Sequence, residues 1–382
     1  MTNNSKICQF IAAHDDWRER FENEYGITVK EEPPLAIFNY GIDCDFSNPI
    51  VQEARGIIID LDNLNVVCWP FRKFANWEES YADPIDWKTA RVQEKIDGSI
   101  MKLWYDHRKQ RWRLSTNGMI DASDAITKPP LNYSFDQLFN SADNVRNIQF
   151  EILDKYNTYI FELVSPESQV VIRYLRSHLY HIGTRNNLTG REYNVSIGVN
   201  RPREYALNSL DDCVRAAESL NKERDGSVHC ITKEGFVVVD GNWNRIKVKS
   251  PDYVMLHHLS SNNSFSKKRI IEMLREHTLN IADISNSFPD YAHYFKFYDF
   301  KMTELEYQAN IFCDLTDRIY NEYGHDRKVV ANKIKNHRLA SIAFTHLDTG
   351  YSGKECLDRM PLRQYCKYVP DYQPEKLSEV FK

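Results

Sequence analysis

The sequence lacks the features that identify secreted, membrane and zinc-binding proteins. It has eight cysteines, but no two of them form a Cys-x-x-Cys pair, so neither a zinc site nor a disulfide framework is indicated. The N-terminus has no signal-peptide core, and no apolar run is long enough to cross a bilayer. We therefore expect reduced thiols, no membrane partner and a cytoplasmic location, which for a viral protein is the cytoplasm of the host cell.

The chain also lacks an excess of positive charge, internal repeats and low-complexity segments. It contains 49 Lys and Arg against 54 Asp and Glu, a formal net charge of −5 at pH 7. A polyanionic partner such as a nucleic acid would therefore need a local basic patch on an acidic molecule. The length of 382 residues is enough for two domains and leaves room for a third.

The run Glu-Lys-Ile-Asp-Gly-Ser-Ile at 94–100 is the centre of the sequence pattern. Segments at 91–93 and 101–105 read as strands on either side of it. Asp97-Gly98 between them is a hairpin signal, because both residue types tolerate the left-handed backbone of tight turns. Lys95 is then at the rim of a sheet. It is either a solvated surface lysine or a nucleophile whose pKa is lowered by burial and neighbouring cations.

Three more charged residues lie in or beside strand-like runs. Arg55 opens the β-branched run 55–60, and Lys73 follows the strand 66–69; each is either a solvated edge charge or a phosphate contact. Glu162 lies within the apolar strand 159–164, where a buried carboxylate needs a partner. That partner could be an ordinary salt bridge, a ribose hydroxyl or a catalytic cation.

A second hairpin is predicted near residue 240. The runs 234–241 and 245–249 flank an Asp-Gly, and Lys247 and Lys249 are two residues apart, so they point to one face of their strand. Antiparallel pairing would place Glu234 at the same open end as Lys249. A carboxylate and two lysines would then converge, although an alternating basic strand by itself is more often a solvated face.

The remaining pattern predicts the fold class. We expect helices at 1–30, 131–150 and 209–223, and strands at 35–40 and 170–175. From residue 252 onward apolar residues recur at helical spacing, after a linker at 260–264. The sequence therefore predicts an α+β protein, with a domain of antiparallel sheets at 1–250 and an all-α domain at 251–382.

Five pieces occur in order along the chain: Arg55-Gly56, Lys95-x-Asp97-Gly98, Phe161-Glu162, the run 234–237, and Lys247-x-Lys249. Together they resemble the covalent nucleotidyltransferase superfamily of ATP-dependent ligases and mRNA capping enzymes. The runs 53–57, 72–76, 161–174 and 247–254 are more similar to the RNA ligase 1 family of T-even phages. This resemblance implies a nucleotidyltransferase domain around an ATP cleft.

The resemblance also implies a three-step reaction with ATP and Mg²⁺ or Mn²⁺. Lys95 attacks the α-phosphorus of ATP to form lysyl-AMP, the AMP moves to an RNA 5′-phosphate, and a 3′-hydroxyl displaces it. Lys247 and Lys249 contact the α-phosphate and the leaving group, and they lower the pKa of Lys95 together with the metal.

Other positions receive roles by the same resemblance. Arg55 and Lys73 contact the ribose or the outer phosphates. Gly98 permits a close backbone approach, and Val237 packs on the adenine, whose amino group Glu94 reads. Glu162 contacts the ribose, and Glu234 holds the metal, with Glu162 as a second metal ligand. The chain departs from its relatives at 115–117, where Ser-Thr-Asn replaces a lysine-containing run.

The implied substrate is RNA with 5′-phosphate and 3′-hydroxyl ends, and nicked tRNA is one candidate. A polynucleotide kinase-phosphatase is an expected partner enzyme, and the helical tail resembles a domain associated with tRNA recognition. The alternatives are a DNA ligase, a capping-type nucleotidyltransferase, and a non-catalytic RNA-binding protein on the same fold. The first two are disfavoured because no OB-fold is recognisable after Lys249.

Overall fold

The computed structural model describes residues 4–127, 131–222, 231–259, 265–276 and 281–372. Its internal contacts separate two compact units. The first has residues up to 221 and 232–254, and the second has the segment 222–231 and the residues from 255 onward. The first unit contains strands and helices, and the described part of the second contains helices. The predicted domains, 1–250 and 251–382, stay a prediction, because contacts within one structure do not show that either part folds alone.

Three antiparallel sheets form the first unit. The first sheet has the order β1-β2-β3-β4. Its strands are β1 Ile27–Glu32, β2 Leu35–Tyr40, β3 Arg55–Asp60 and β4 Asn65–Cys68. Helices α1 Lys6–Ala13, α2 Trp17–Tyr25 and α3 Pro49–Glu53 precede or connect these strands. Phe10 and Phe21 on the helices pack with Phe38 and Ile57 on the sheet in one apolar cluster.

The predicted helix over 1–30 is wrong at its C-terminal end. α2 ends at Tyr25, and the next residue, Gly26, adopts a left-handed backbone with φ 63°. The chain then enters β1, where Thr28 and Val29 contribute the β-branched side chains that favour strands. The predicted strand at 35–40 is confirmed as β2.

The second and third sheets hold the remaining strands. The second sheet has the order β10-β9-β8-β6-β7 and the third the order β11-β5-β12-β13. The strands of the second sheet are β6 Ser99–Asp106, β7 Arg111–Thr116, β8 Asn157–Val164, β9 His178–Asn186 and β10 Glu192–Tyr193. Those of the third are β5 Arg91–Lys95, β11 Glu204–Tyr205, β12 Gly235–Val239 and β13 Arg245–Lys249.

The predicted hairpin at Asp97-Gly98 is wrong. β5 pairs with β12 and β11, whereas β6 pairs with β7 and β8, so the segment at 96–98 passes from the third sheet to the second. The Asp-Gly pair indicates a turn of the backbone, but it does not determine which strands pair. Here the turn lies between strands of different sheets, because strand pairing depends on residues far away in sequence. The second predicted hairpin is confirmed, since β12 and β13 are antiparallel neighbours.

Three further expectations are corrected. Within 131–150 the only α-helix among the described residues is α4 Phe135–Asn140, followed by short 3₁₀ turns. The run 170–175 is not a strand. The helix expected at 209–223 is α5 Leu210–Ser219, which packs under β12 and β13 through Cys213 and Ala217, while residue 223 lies outside the described residues.

The helical expectation for the C-terminal part is confirmed. Its helices are α6 Pro251–Leu259, α7 Lys267–Glu276, α8 Ile281–Ser287, α9 Ala292–Glu322, α10 Arg327–Ile334, α11 Ala340–Thr349, α12 Gly353–Asp358 and α13 Leu362–Tyr368. α9 buries Phe295, Tyr298, Met302, Leu305 and Ala309, a spacing of three and four residues that lines one face of a helix. The expected linker at 260–264 lies outside the described residues.

The α+β class with antiparallel sheets and a helical C-terminal part is therefore confirmed. None of the helices in the described ranges combines the length and apolar character that a membrane crossing requires.

Candidate active site

A cleft of about 490 Å³ lies in the first unit, between the second and third sheets. Its walls include β5 and β12 from the third sheet and β6 and β8 from the second. The crossing segment at 96–98 contributes to the same cleft. The sheets therefore converge where the sequence pattern is centred. Predicted site residues that line the cleft are Arg55, Glu94, Lys95, Gly98, Glu162, Val237 and Lys247.

Strand register brings the three predicted catalytic lysines together. Lys95 on β5, Gly235 on β12 and Lys249 on β13 form one cross-strand row. Gln93, Val237 and Lys247 form the next row. Side chains two residues apart share a face, so both rows point the same way. The opposite face of these strands packs on α5 through residues such as Phe236 and Val248.

Gly235 is required at the centre of the first row. Its φ is +147°, and a Cβ at this position would lie 2.2 Å from the carbonyl oxygen of Val248. Glu234, the residue before it, turns its carboxylate between two lysines. Oε2 accepts from Lys95 Nζ at 2.8 Å, and Oε1 accepts from Lys249 Nζ at 3.0 Å. The predicted convergence of Glu234 with Lys249 is thus present, and Lys95 joins it.

The residues around Lys95 raise its pKa, whereas the resemblance implies that Lys247, Lys249 and a bound metal together lower it. Burial acts to lower the pKa, but Glu234, Glu162 and Asp97 nearby outweigh it and raise the pKa above its ordinary value. The lysine is therefore an ammonium ion held by Glu234. It can act as a nucleophile only after it loses a proton.

Lys247 has the opposite electrostatic environment. Burial and the nearby positive charges of Arg55, Lys95 and Lys73 lower its pKa to about 7. Its Nζ lies 4.9 Å from the ring centroid of Phe74, and no carboxylate of the described residues pairs with it. Lys247 is therefore the lysine of this cluster that is close to losing its charge at neutral pH.

Glu162 lies on β8 and is 9% exposed. Burial raises its pKa to about 7, and this outweighs the opposing attraction of Lys95 and Arg55. Among the described residues no hydrogen bond or ion pair engages its carboxylate, so of the three alternatives the salt bridge is not formed. Its oxygens are available to a ligand in the cleft.

Arg55 and Lys73 approach the cluster from the first sheet and the loop after it. The guanidinium of Arg55 lies 5.4 Å from the ring centroid of Phe74, and burial lowers its pKa. The ammonium of Lys73 lies 4.0 Å from the ring centroid of Phe46, outside the cleft lining. Burial lowers the pKa of Lys73, and the charges of Arg55 and Lys249 lower it further. Lys73 is therefore a cation at the margin of the site.

Gly98 makes the close backbone approach that was expected, whereas the side chain of Glu94 is engaged by other residues. A Cβ on Gly98 would lie 2.4 Å from the carbonyl oxygen of Leu163, so its close backbone approach is to β8. Glu94 lines the cleft through its strand, but its carboxylate accepts from the hydroxyl of Tyr205 at 3.3 Å and pairs with Lys233 at 3.8 Å. It is already bound by protein groups.

Gln93 lines the cleft but was not among the site residues predicted from the sequence. It lines the cleft on the face of Lys95, is 7% exposed, and donates from Nε2 to Glu204 Oε1 at 3.1 Å. No donor among the described residues contacts its Oε1. The two-residue alternation from Lys95 could have identified it, because Gln93 and not Glu94 shares the face of the lysine.

Asp97 and Lys102 are two further residues whose roles sequence reasoning did not find. Asp97 is 4% exposed, and its oxygens accept from the Tyr253 hydroxyl at 2.6 Å and from the backbone N–H groups of Val171 and Ile172 at 2.9 and 2.7 Å. This bonding holds the crossing segment behind Lys95. Lys102 is fully buried and donates to the carbonyl of Gly56, and burial lowers its pKa to about 8. No local pattern predicts such long-range contacts.

A divalent metal would find few ready ligands. Within the described ranges no three His, Cys, Asp or Glu side chains are grouped to hold a metal ion. Of the two predicted metal ligands, Glu162 has uncommitted oxygens, while both oxygens of Glu234 are bound by lysines. The set suits a hard cation that takes most of its oxygen ligands from water and from a bound polyphosphate.

Comparison with known proteins identifies the family of this chain. A family model described as RNA ligase matches residues 53–253, more than half of the chain and all of the cleft strands β5 to β13. An RNA ligase of Rhodothermus phage RM378 is 25% identical over 316 residues, which cover 67% of this chain and 70% of that protein.

Two other similar proteins are an insect virus protein and an archaeal structure. A candidate bifunctional polynucleotide kinase/RNA ligase of Autographa californica nuclear polyhedrosis virus is 29% identical over 257 residues, covering 62% of this chain and 35% of that protein. A solved archaeal ATP-dependent RNA ligase aligns with a TM-score of 0.40 and 16% identity over 69% of this chain and 71% of the other. The family match spans the lysine cluster, the carboxylates and the crossing segment, and the chain belongs to the RNA ligase family.

Proposed function

We propose that this protein is an ATP-dependent RNA ligase that works through lysyl-AMP and RNA-adenylate intermediates. The observation that carries the proposal is that Lys95 and Lys247 line one cleft and that Glu234, beside this lining, pairs with both Lys95 and Lys249, all within the region that matches the family. Its substrates are RNA 5′-phosphate and 3′-hydroxyl ends.

In the first step Lys95 Nζ attacks the α-phosphorus of ATP. A P–N bond forms, the bond to the β-phosphate oxygen breaks, and pyrophosphate leaves with the electron pair. Lys95 must first lose a proton, and Glu234 Oε2, 2.8 Å from Nζ, is the protein group nearest to receive it. The AMP then passes to the RNA 5′-phosphate oxygen, which frees the lysine, and a 3′-hydroxyl displaces AMP to form the phosphodiester.

Charge neutralisation is the main contribution of the other cations. Phosphoryl transfer depends on positioning and on stabilising negative charge on the phosphate oxygens. Lys249 lies in the same cross-strand row as Lys95 and Lys247 lies in the next row, so we assign them to the α-phosphate and the leaving group. Arg55 and Lys73, which approach from the other side, are assigned to the ribose or the outer phosphates.

We assign a divalent cation, Mg²⁺ or Mn²⁺, to Glu162 and Glu234. Glu162 supports this because its buried carboxylate lacks a protein partner among the described residues, and Glu234 would act through water while its lysines remain bound. When bound, the ion supplies positive charge to the triphosphate.

We assign base recognition to Gln93 and Val237. A carboxylate accepts hydrogen bonds and does not donate them, so Glu204 fixes the Gln93 amide with its NH₂ group outward and leaves Oε1 as an acceptor. An acceptor suits the amino group of adenine and is repelled by the carbonyl oxygen of guanine. Val237, the cross-strand neighbour of Gln93, offers an apolar surface to the ring.

RNA repair is the proposed setting, with nicked tRNA as one candidate substrate. The name of the insect virus relative joins a polynucleotide kinase with an RNA ligase. Such a kinase would supply the 5′-phosphate that the second step needs, so a kinase-phosphatase is the proposed partner enzyme.

The proposal is tested by incubating the protein with α-labelled ATP and Mg²⁺ and denaturing it. Label is expected on the wild type and on Lys88→Ala, a matched control in which an exposed lysine is removed. Lys95→Ala is expected to carry none. Label on Lys95→Ala, or no label on the wild type, would overturn the assignment. A non-catalytic RNA-binding protein would also give no label.

The acceptor is tested separately by a chase of the labelled protein. Single-stranded RNA with a 5′-phosphate is expected to take up AMP and then to be sealed, whereas nicked duplex DNA is expected to react poorly. Preference for nicked DNA would support a DNA ligase, and labelling by GTP in place of ATP would support a capping-type enzyme.

A further inference from the structure

A second cavity of the first unit, about 440 Å³ in volume, has no part in the proposed chemistry. We call it the basic pocket and define it by Lys6, Gln52, Trp69, Arg72 and Arg185, all of which line it. It lies where the start of α1, the end of α3 and the loop after β4 meet β9. Three cations line one cavity in a molecule whose net charge is −5, so they are concentrated there against the overall charge.

Arg185 lies in this pocket without a direct ion pair, although the carboxylates of Glu192 and Glu53 are near enough to act on its charge. Its Nε donates to the Gly190 carbonyl and its Nη1 to the Pro70 carbonyl, both at 2.8 Å, and the guanidinium lies 4.4 Å from the ring centroid of Trp69. Among the described residues no carboxylate forms an ion pair with it, and Nη2 has no partner. Two backbone carbonyls fix the guanidinium without neutralising it, which leaves N–H donors for an anion.

Lys6 and Arg72 add to the same positive field. Lys6 is exposed, and within the described ranges its ammonium has no ion-pair partner. Arg72 donates to Gln52 Oε1 at 2.6 Å and pairs with Asp83 at 2.7 Å, so its charge is partly compensated.

The acidic residue of the pocket is turned to other partners. Glu53 is 8% exposed, and its Oε2 accepts from the Ser5 hydroxyl and the Ile7 backbone N–H, both at 2.9 Å. Burial raises the pKa of Glu53, and the nearby charge of Arg185 acts against that rise. The pocket lining holds three cations, Lys6, Arg72 and Arg185, against this one carboxylate, so its net charge is positive.

The basic pocket adjoins the active-site cleft. Phe71 lines the cleft and Arg72, the next residue, lines the pocket. On β9, Ile182 lines the cleft and Arg185 lines the pocket, three residues or roughly 10 Å along the strand. Between them, Lys73 donates its backbone N–H to the Gln52 carbonyl at 2.7 Å. A short segment of RNA can span such a distance.

We propose that the basic pocket binds a backbone phosphate of the RNA strand whose reacting end lies in the active-site cleft. This inference depends on the proposed ligase function. A phosphodiester oxygen would accept from Arg185 and Lys6, the remaining volume would admit the adjoining sugar, and the contact would position the strand without reading its sequence. Because the contacts are ionic, they belong to binding of RNA and not to the reaction of Lys95 with ATP.

The test compares Lys6→Glu and Arg185→Gln with Lys88→Glu, a control that makes the charge change of Lys6→Glu at another exposed lysine. We expect all three to form lysyl-AMP from ATP at the wild-type rate. Lys6→Glu and Arg185→Gln are expected to raise the KM for 5′-phosphorylated single-stranded RNA about tenfold with little change in kcat. The slope of log affinity against log salt should fall by about one for each lost phosphate contact.

Uncharged methylphosphonate linkages then locate the phosphate. One linkage is replaced at a time. We expect replacement at one position near the reacting end to lower the RNA affinity of the wild type, and to cause no further loss of affinity in Lys6→Glu. Fluorescence anisotropy with the same RNA measures binding without ATP. Because Arg185 also donates to two backbone carbonyls, Arg185→Gln could unfold the protein, and thermal denaturation of each variant is recorded. If Arg185→Gln unfolds, the result for Lys6→Glu, at an exposed residue, decides the test.

The inference is overturned if Lys6→Glu matches Lys88→Glu in RNA binding and in KM, while the wild type forms lysyl-AMP. It is also overturned if inorganic phosphate or AMP alone binds the pocket in a Lys6-dependent manner and RNA binding does not depend on Lys6, since the site would then take a small anion. A third outcome separates the two proposals. If the wild type forms no lysyl-AMP but its RNA binding still depends on Lys6, the ligase proposal is overturned and the RNA contact remains.

Discussion

The chemistry of the cleft depends on how one buried carboxylate is shared. Glu234 accepts from Lys95 and Lys249 and has a side-chain exposure of 3%, so its charge is balanced by two ammonium groups in a poorly hydrated site. Removing one member of such a cluster leaves an uncompensated charge, which costs more than the pairing contributes. A ligand with its own negative charge could release a lysine from Glu234, and the triphosphate of ATP has that property.

Lys247→Met is predicted to stabilise the protein, and more so near pH 7 than near pH 10. Lys247 has a folded pKa of about 7 and an ordinary unfolded pKa of 10.5. Between these two pKa values Lys247 is protonated in the unfolded state and mostly neutral in the folded state, so the free energy of unfolding of the wild type rises with pH. The destabilising effect of the lysine is therefore fully present only below about pH 7.

Thermal denaturation of the ligand-free protein across this pH range measures the effect. Lys88→Met, at an exposed lysine, should show no pH-dependent gain. A gain from Lys247→Met that is the same at pH 7 and pH 10 would contradict the lowered pKa. The same variant is expected to lose adenylylation, because stability and function make opposite demands on this charge.

Gln93→Met is predicted to lower the preference for ATP over GTP about tenfold, the value of one hydrogen bond of about 1.4 kcal/mol. Met has a similar volume but no acceptor oxygen. Glu204→Gln should reduce the preference by a smaller factor, because an amide in place of the Glu204 carboxylate can both donate and accept, and so no longer holds the Gln93 amide in one orientation. Rates of lysyl-AMP formation with each nucleotide give the ratio.

Gln364→Met on the helical unit is the control for this substitution, since Gln364 is exposed. An unchanged ratio in Gln93→Met, with an active enzyme, would remove Gln93 from base recognition. An equal decrease in the rate of lysyl-AMP formation with ATP and with GTP would show that Gln93 has a structural role only.

At the scale of elements, the site is produced by a crossing between two sheets. The segment 96–98 leaves β5 and enters β6, which places Lys95 at the junction of the second and third sheets. Asp97 anchors the segment to the backbone of Val171 and Ile172 and to Tyr253. Gly98 allows β6 and β8 to approach at the point of entry. The segment is therefore held on both sides of the glycine.

Gly98→Ala is predicted to destabilise the protein by about 1–3 kcal/mol, the usual cost of overpacking, and to lower the rate of lysyl-AMP formation. The added Cβ would lie 2.4 Å from the Leu163 carbonyl oxygen and 3.1 Å from Glu162 Cγ, so it would push β8 and its carboxylate away from Lys95. Denaturant unfolding and α-labelled ATP measure the two effects.

Gly118→Ala is the matched control, because a Cβ there would meet nothing within 4 Å and Gly118 also lines the cleft. We expect the free energy of unfolding of this variant and its labelling by α-labelled ATP to be close to those of the wild type. Equal behaviour of the two alanine variants would show that the approach of β6 to β8 is not tightly constrained.

At the scale of the whole molecule, the first unit contains both the cleft and the basic pocket, and the second unit is helical. The acidic net charge makes the cationic cleft and the adjoining basic pocket local exceptions, which is the arrangement expected when only one region of a molecule meets a polyanion. An RNA strand would be attracted to that region and not to the surface in general.

Much of this architecture could be predicted from local patterns. The helical tail, the strands at 35–40 and 159–164, and the hairpin at 235–249 follow from side-chain periodicity over a few residues. Strand alternation also correctly placed Lys247 and Lys249 on one face, because a period of two is a property of the strand itself. The same rule applied to Lys95 would have selected Gln93 in place of Glu94.

The sequence by itself determined which charged residues were available, in what order, and on which face of each strand they lie, because these depend on covalent spacing and local backbone geometry. Only the tertiary structure decided that β5 and β6 belong to different sheets, that Glu234 binds two lysines, and that Asp97 is anchored by residues more than 70 positions away. Strand partners and pKa values depend on contacts between distant segments, and those contacts exist only once the whole unit has folded.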